Sequence, residues 1–275
     1  SYALNIGSDG EFTGAISYQG YPLFFKENII YEIVGSYPAS YQLVTFDCRG
    51  VQKGSDRSVA IVGEYLMYKT DMDISIFDGN TTVSISDKLG ADNFSQAVAG
   101  SCGSKYYVSM HNDDINEWQL FVYDIDKAIW MKEDNLKIEQ FAYNNAGQLY
   151  GNSKIKVYGF EKATDKFEQT TLAVEENVEF EAITGAFGYE YIDKQYLSRL
   201  AIRAEIPFKS ELEVAISYDD RDFNVIKTLR GESTVKCQSF AFTPVRCGHY
   251  RLRLRGHGSV KVYSITRSFD VGSEE

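Results

Sequence analysis

The sequence predicts an all-β protein: a propeller-like repeat of four-stranded antiparallel sheets, about four blades long, followed by a C-terminal β-sandwich. Three observations carry this. The first is composition: 20 Tyr and 17 Phe stand against 2 Trp and 4 Pro among 275 residues. Tyr and Phe favour pleated, half-buried surfaces. The second is a repeat. Leu23, Leu66, Tyr107 and Leu149 occupy equivalent places in four similar stretches and lie 43, 41 and 42 residues apart. A period near forty with three or four short strands per unit is that of a propeller blade, which must stack on its neighbours to bury both faces. The third is a change of pattern after Glu181, where short alternating stretches follow at close, turn-bounded spacing, as in a sandwich.

Each unit has the same grammar. Gly14-Ala15-Ile16 leads to Tyr21–Phe25 and then Ile29–Ile33. Val59-Ala60-Ile61 leads to Tyr65–Tyr68 and Ile74–Gly79. Ala97-Val98-Ala99 leads to Tyr106–Ser109 and Leu120–Asp124, and Phe141-Ala142-Tyr143 to Gln148–Tyr150 and Ile155–Tyr158. Candidate fourth strands are Tyr41–Phe46, Thr82–Ser86, Ile129–Lys132 and Phe167–Leu172. Four units are few for a closed ring. A small or open propeller and blades preceding Ser1 both stay open. The domain division is placed at 1–185 and 186–275, in the stretch Glu181–Tyr196 that holds Gly185 and Gly188. In the second domain, Leu200–Glu205, Leu212–Tyr218, Val225-Ile226, Ser239–Phe242, Tyr250–Arg255 and Val260–Ile265 read as short strands. Leu200, Ile202, Leu212, Val214, Ile216, Leu252 and Leu254 form its predicted core.

Charge divides the chain in the same way. Up to Tyr189 there are 14 Lys and Arg against 27 Asp and Glu; beyond it, 14 against 12. An acidic first part argues against a nucleic-acid-coating surface, which needs clustered cations. No apolar run is long enough to cross a membrane, and no signal-peptide pattern opens the sequence. Cys48, Cys102, Cys237 and Cys247 are too sparse for a disulfide scaffold and contain no C-x-x-C pair. With three histidines, a structural zinc site is not expected.

Motifs that carry chemistry are few. Asp71, Asp73 and Asp78 surround a turn, but lack the Gly and Glu spacing of an EF-hand loop. Asn112-Asp113-Asp114 reads as a hairpin tip. There is no G-x-S-x-G elbow. No catalytic residue, metal ligand or cofactor is assigned. Arg251, Arg253 and Arg255 recur at a spacing of two, which sets three guanidiniums on one face of one strand. That face is either solvated or a docking surface for acidic groups.

Two longer stretches carry a family resemblance. Tyr21–Glu27 with Ile30–Gly35, continued by Ile76–Gly79 and Ile85–Leu89, resembles propeller proteins of phage neck and tail machinery, including the packaged-DNA stabilisation type. Lys194–Leu200 to Asp219, Pro244–Leu254 and Val262–Arg267 resemble the C-terminal part of virion structural proteins from prophages of Gram-positive, clostridia-like bacteria. The resemblance implies a structural, non-enzymatic component of a phage particle, made in the bacterial cytoplasm. Its partners would be other virion proteins and copies of itself. Two alternatives stand beside it. One is a module that recognises host-surface glycans. The other is a propeller glycoside hydrolase, which needs two carboxylates about 5–10 Å apart in an axial pocket.

Overall fold

The computed structural model describes residues 6–144, 147–160, 179–190, 194–241, 243 and 245–271. The chain divides into two compact units, Ser1–Thr170 and Thr171–Glu275. Both are built of strands, as the sequence predicts.

In the first unit, blade 1 consists of β1 (Gly14–Tyr18), β2 (Tyr21–Lys26), β3 (Ile29–Val34) and β4 (Gln42–Phe46). Blade 2 is β5 (Ala60–Val62), β6 (Tyr65–Lys69), β7 (Ile74–Phe77) and β8 (Thr82–Ser84). Blade 3 is β9 (Phe94–Cys102), β10 (Lys105–Asn112), β11 (Glu117–Asp124) and β12 (Ile129–Asp134). Each is a four-stranded antiparallel meander in chain order. Blade 4 contributes β13 (Gln140–Tyr143), β14 (Leu149–Asn152) and β15 (Val157–Phe160). The candidate strand Phe167–Leu172 lies outside the described residues.

The repeat positions do what the spacing implies. Leu23, Leu66, Tyr107 and Leu149 are all buried, each in the second strand of its blade. Alternation sends their neighbours to the opposite face. One apolar cluster joins blades 1 and 2 through Phe25, Ile30, Tyr68 and Phe77. A second joins blades 2 and 3 through Met67, Ile74, Val108 and Phe121, and a third joins blades 3 and 4 through Tyr107, Val122, Leu149 and Phe160.

Side-chain hydrogen bonds stitch the same junctions. The Tyr18 hydroxyl donates to the Glu64 carbonyl (2.5 Å), Tyr106 to that of Ser58 (2.7 Å), and the Trp130 indole to that of Ile85 (2.7 Å). Ser109 Oγ donates to the Leu136 carbonyl (2.8 Å). Among the described residues no apolar cluster joins blade 4 to blade 1. Among the described residues no blade packs on the outward face of blade 1.

The second unit holds β16 (Glu179–Ile183), β17 (Gln195–Tyr218), β18 (Asn224–Ala241), β19 (Tyr250–His257) and β20 (Lys261–Val271). The alternating stretches read as two strands, Leu200–Glu205 and Leu212–Tyr218, are halves of the single β17. The chain bulges between Ile206 and Glu211, with Lys209 left-handed (φ 66°), and then continues. The first half of β17 lies between β18 and β20; the second lies between β18 and β19. Glycines permit the crossover: a Cβ on Gly231 would sit 2.0 Å from the Pro207 carbonyl oxygen, and one on Gly256 1.9 Å from that of Glu211. The bent ribbon closes over one core that contains all seven predicted residues together with Leu197, Tyr218 and Tyr250.

Candidate functional site

The free face of blade 1 becomes a recess because two segments wall it in. Register places Ala15, Phe24, Tyr31 and Thr45 side by side on that face, with Pro22, Ile33 and Leu43 beside them. Residues 6–13 fold back over one end. The Lys26 ammonium anchors them, donating to the Ser8 carbonyl (2.6 Å) and Ser8 Oγ (2.9 Å), while the Tyr31 hydroxyl also bonds Ser8 Oγ. Phe12 then lies edge-on to Phe24 (6.0 Å between centroids) and Tyr31 (6.4 Å). The other wall is the loop after blade 1. Lys53 N donates to Glu27 Oε1 (3.1 Å), and Lys53 Nζ bridges to Glu11 Oε2 (2.8 Å) on the first wall.

The recess is open to solvent and has a volume of about 1110 Å³. It is lined largely by apolar groups, among them Phe12, Tyr21, Phe24 and Tyr41, with a few charged side chains, the composition expected of a ligand site. Phe12, Tyr21 and Tyr41 leave 53%, 40% and 42% of their surface in solvent, an unusual outlay of large apolar side chains around one depression. Two tight turns present the tyrosines. Gln19 and Gly20 are both left-handed (φ 50° and 87°) just before Tyr21. Gly35 (φ 132°) passes 2.7 Å from the Ser40 carbonyl oxygen, measured to where a Cβ would stand, just before Tyr41. Glu11, Lys53 and Asp56 supply the charges. The ammonium of Lys53 holds the Glu11 carboxyl below the usual carboxylate range, so Glu11 accepts hydrogen bonds as an anion.

The sequence singled out none of these residues. The available signal was alternation: side chains next to Leu23 point to the opposite face of blade 1, which no other blade covers among the described residues.

The first strands of the four blades line a second, shallower groove through Ile16, Ile61, Ala99, Gly100, Phe141 and Tyr143. No carboxylate lines it, so the pair that the hydrolase alternative requires at the axis is not found there.

The residues named from sequence lie elsewhere. Arg251, Arg253 and Arg255 do share one face of β19, and carboxylates of the same unit meet them. Arg251 pairs with Asp220 (3.3 Å), Arg253 with Glu213 (3.3 Å) and Arg255 with Glu179 (3.1 Å). Any partner at this face exchanges these pairs for its own. Asp73 is held by the Thr70 and Ser75 hydroxyls, and Asp78 caps its own turn through the amides of Asn80 and Thr81. Asp113 accepts from Ser95 and lies 2.7 Å from the His111 ring, at a hairpin tip as expected. Cys237 is exposed and Cys247 buried, and neither is in a disulfide.

No protein-family model and no curated protein sequence matches this chain. Solved structures do. The exo-β-1,3-galactanase from Phanerochaete chrysosporium matches 90% of this chain and 80% of its own length, at 11% identity and a TM-score of 0.29. A glycoside hydrolase family 43 arabinoxylan arabinofuranohydrolase from Bacillus subtilis matches over 93% and 64%, at 10% identity and a TM-score of 0.20. The extracellular domain of BT4673 from B. thetaiotaomicron matches 58% of this chain, at 10% identity and a TM-score of 0.32; the match spans 28% of that protein.

None of these is a phage protein, and the matches that extend over nine-tenths of the chain are glycoside hydrolases. The expectation of a phage or prophage particle component is therefore withdrawn. With it go the virion partners and self-assembly in a particle, the virion location and the non-enzymatic role. Most of the described residues that carried that resemblance lie in blade and sandwich strands, which unrelated functions share.

Proposed function

We propose that this chain handles carbohydrate, and that its sugar site is the recess on the outward face of blade 1. One observation carries the reading: Phe12, Tyr21, Phe24 and Tyr41 surround a depression whose rim holds an anion, Glu11, and a cation, Lys53. The C–H face of a sugar ring packs on an aromatic plane, while its hydroxyls need donors and acceptors at the edge. The volume admits more than one ring. Glu11 and Asp56 put two carboxylates in the same recess, which favours testing hydrolysis there as well as binding.

The test is a glycan array probed with the full chain, followed by titration of the glycans that score. Phe24→Ala and Tyr41→Ala each weaken binding about tenfold, which is about 1.4 kcal/mol. The bound glycans are then assayed for reducing-end release. Release lost in Glu11→Gln and Asp56→Asn makes the recess a hydrolytic centre; saturable binding without release makes it a recognition site. Failure to bind any glycan, or binding indifferent to Phe24 and Tyr41, overturns the proposal.

A further inference from the structure

The second unit holds a separate depression of about 370 Å³ at one end of the sandwich. Its floor is Ile216 and Tyr218, both buried at the end of β17, and its walls include Val225, Ile226 and Val245. Among the described residues, the one charged residue that lines it is Arg221, and no carboxylate does. This sets Arg221 apart from its neighbours. Arg230, Arg251, Arg253 and Arg255 all meet carboxylates within the unit; the Arg221 guanidinium has no such partner among the described residues.

The backbone at Arg221 is also anchored. Asp219 and Asp220 are both left-handed (φ 50° and 56°) and turn the chain sharply after β17. Arg221 N donates to the Tyr218 carbonyl (3.0 Å), and the Arg221 carbonyl accepts from Ser217 Oγ (2.5 Å). Asp219 Oδ1 ties the turn to the next strand by accepting from the amides of Gly248 (2.8 Å) and His249 (3.2 Å). The guanidinium thus stands on a rigid base beside an apolar floor. Burial pushes the Tyr218 phenol up to about 12, so that side chain stays neutral and adds no competing negative charge.

We infer that this depression is a second ligand site, independent of the recess on blade 1, and that it takes a small organic carboxylate whose compact body rests on Ile216 and Val225 while its carboxyl group meets Arg221. An apolar cavity with one unpaired fork of N–H donors suits such a ligand. Arg binds carboxylate in a bidentate manner, and the dry floor favours an anion with an apolar face over a hydrated inorganic ion. The size admits one sugar acid or one aromatic acid, not an extended chain.

The experiment titrates the full chain with glucuronate and benzoate, each beside its neutral counterpart, glucose and benzamide. Calorimetry and the methyl resonances of Ile216 and Ile226 are the readouts. At least one acid binds saturably and shifts both methyls, its neutral counterpart binds at least tenfold more weakly, and Arg221→Gln removes that difference. Arg221→Lys, which keeps the charge without the fork, restores part of it. Phe24→Ala, in the other unit, leaves the binding unchanged, which separates this site from the carbohydrate reading. Both substitutions at Arg221 act on an exposed side chain, so a melting temperature matching the parent's verifies the fold. The inference is overturned if neither acid shifts Ile216 and Ile226, or if the Gln variant binds as the parent does.

Discussion

Tyr106 shows how a single residue holds two blades together. Its ring is fully buried, and its hydroxyl reaches the Ser58 carbonyl at the entry to the preceding blade. Tyr106→Phe keeps the ring and orphans that carbonyl, so it lowers unfolding stability by about 1–2 kcal/mol, read from urea denaturation. Lys69 offers a test with pH. Its ammonium is buried with one acceptor, the Thr70 carbonyl (2.6 Å), and desolvation pulls its pKa down to about 8. The sign follows from linkage. The unfolded chain holds the Lys69 proton to higher pH than the folded chain, so the penalty is full below about 8 and fades as pH rises towards the unfolded value. Lys69→Met is therefore more stable than the parent at pH 7, and the gap narrows between about pH 8 and 10.5, measured as paired melting curves. Neither residue's partner was legible beforehand. A repeat tells which side chains face inward, but a hydroxyl's acceptor or a lysine's burial depends on the neighbouring blade.

At the scale of elements, periodicity was the readable quantity. Alternation around Leu23, Leu66, Tyr107 and Leu149 located the second strand of every blade, because a strand buried on one face has a period of two. The sandwich core was readable for the same reason. The length of β17 was not, since alternation resumes on both sides of the bulge at Ile206–Glu211 and nothing local shows that the pairing continues. Close packing between blades gives a further prediction. A Cβ on Gly100 would lie 2.6 Å from Phe141 Cβ and 2.8 Å from its Cγ, where blade 4 seats on β9. Gly100→Ala forces the blades apart and costs about 1–3 kcal/mol, while Gly7→Ala, which meets nothing within 4 Å, stays within about 0.5 kcal/mol; thermal melts compare the two.

For the molecule as a whole, the division into two units has its own consequence. The sandwich has a core drawn only from residues after Thr171, with Tyr250 and Leu252 facing Leu200 and Ile216. A polypeptide of residues 171–275 therefore folds alone, with a β-type circular dichroism spectrum and a cooperative melt. A disordered spectrum shows that it needs the propeller. Function was least legible at this scale. The described parts of the phage-like stretches are mostly strands, and their chemistry is that of any blade, so they carried a fold and not a role. The recess depends on tertiary placement: among the described residues no blade covers the outward face of blade 1, and residues 6–13 wall it. The most direct measurement is a crystal structure of the full chain soaked with an oligosaccharide selected on the array. The proposed site predicts ordered sugar rings stacked over Tyr21, Phe24 and Tyr41, with hydroxyls bonded to Glu11 or Lys53. Sugar bound along the axial groove beside Ile61 and Phe141, with the recess holding only solvent, would contradict it.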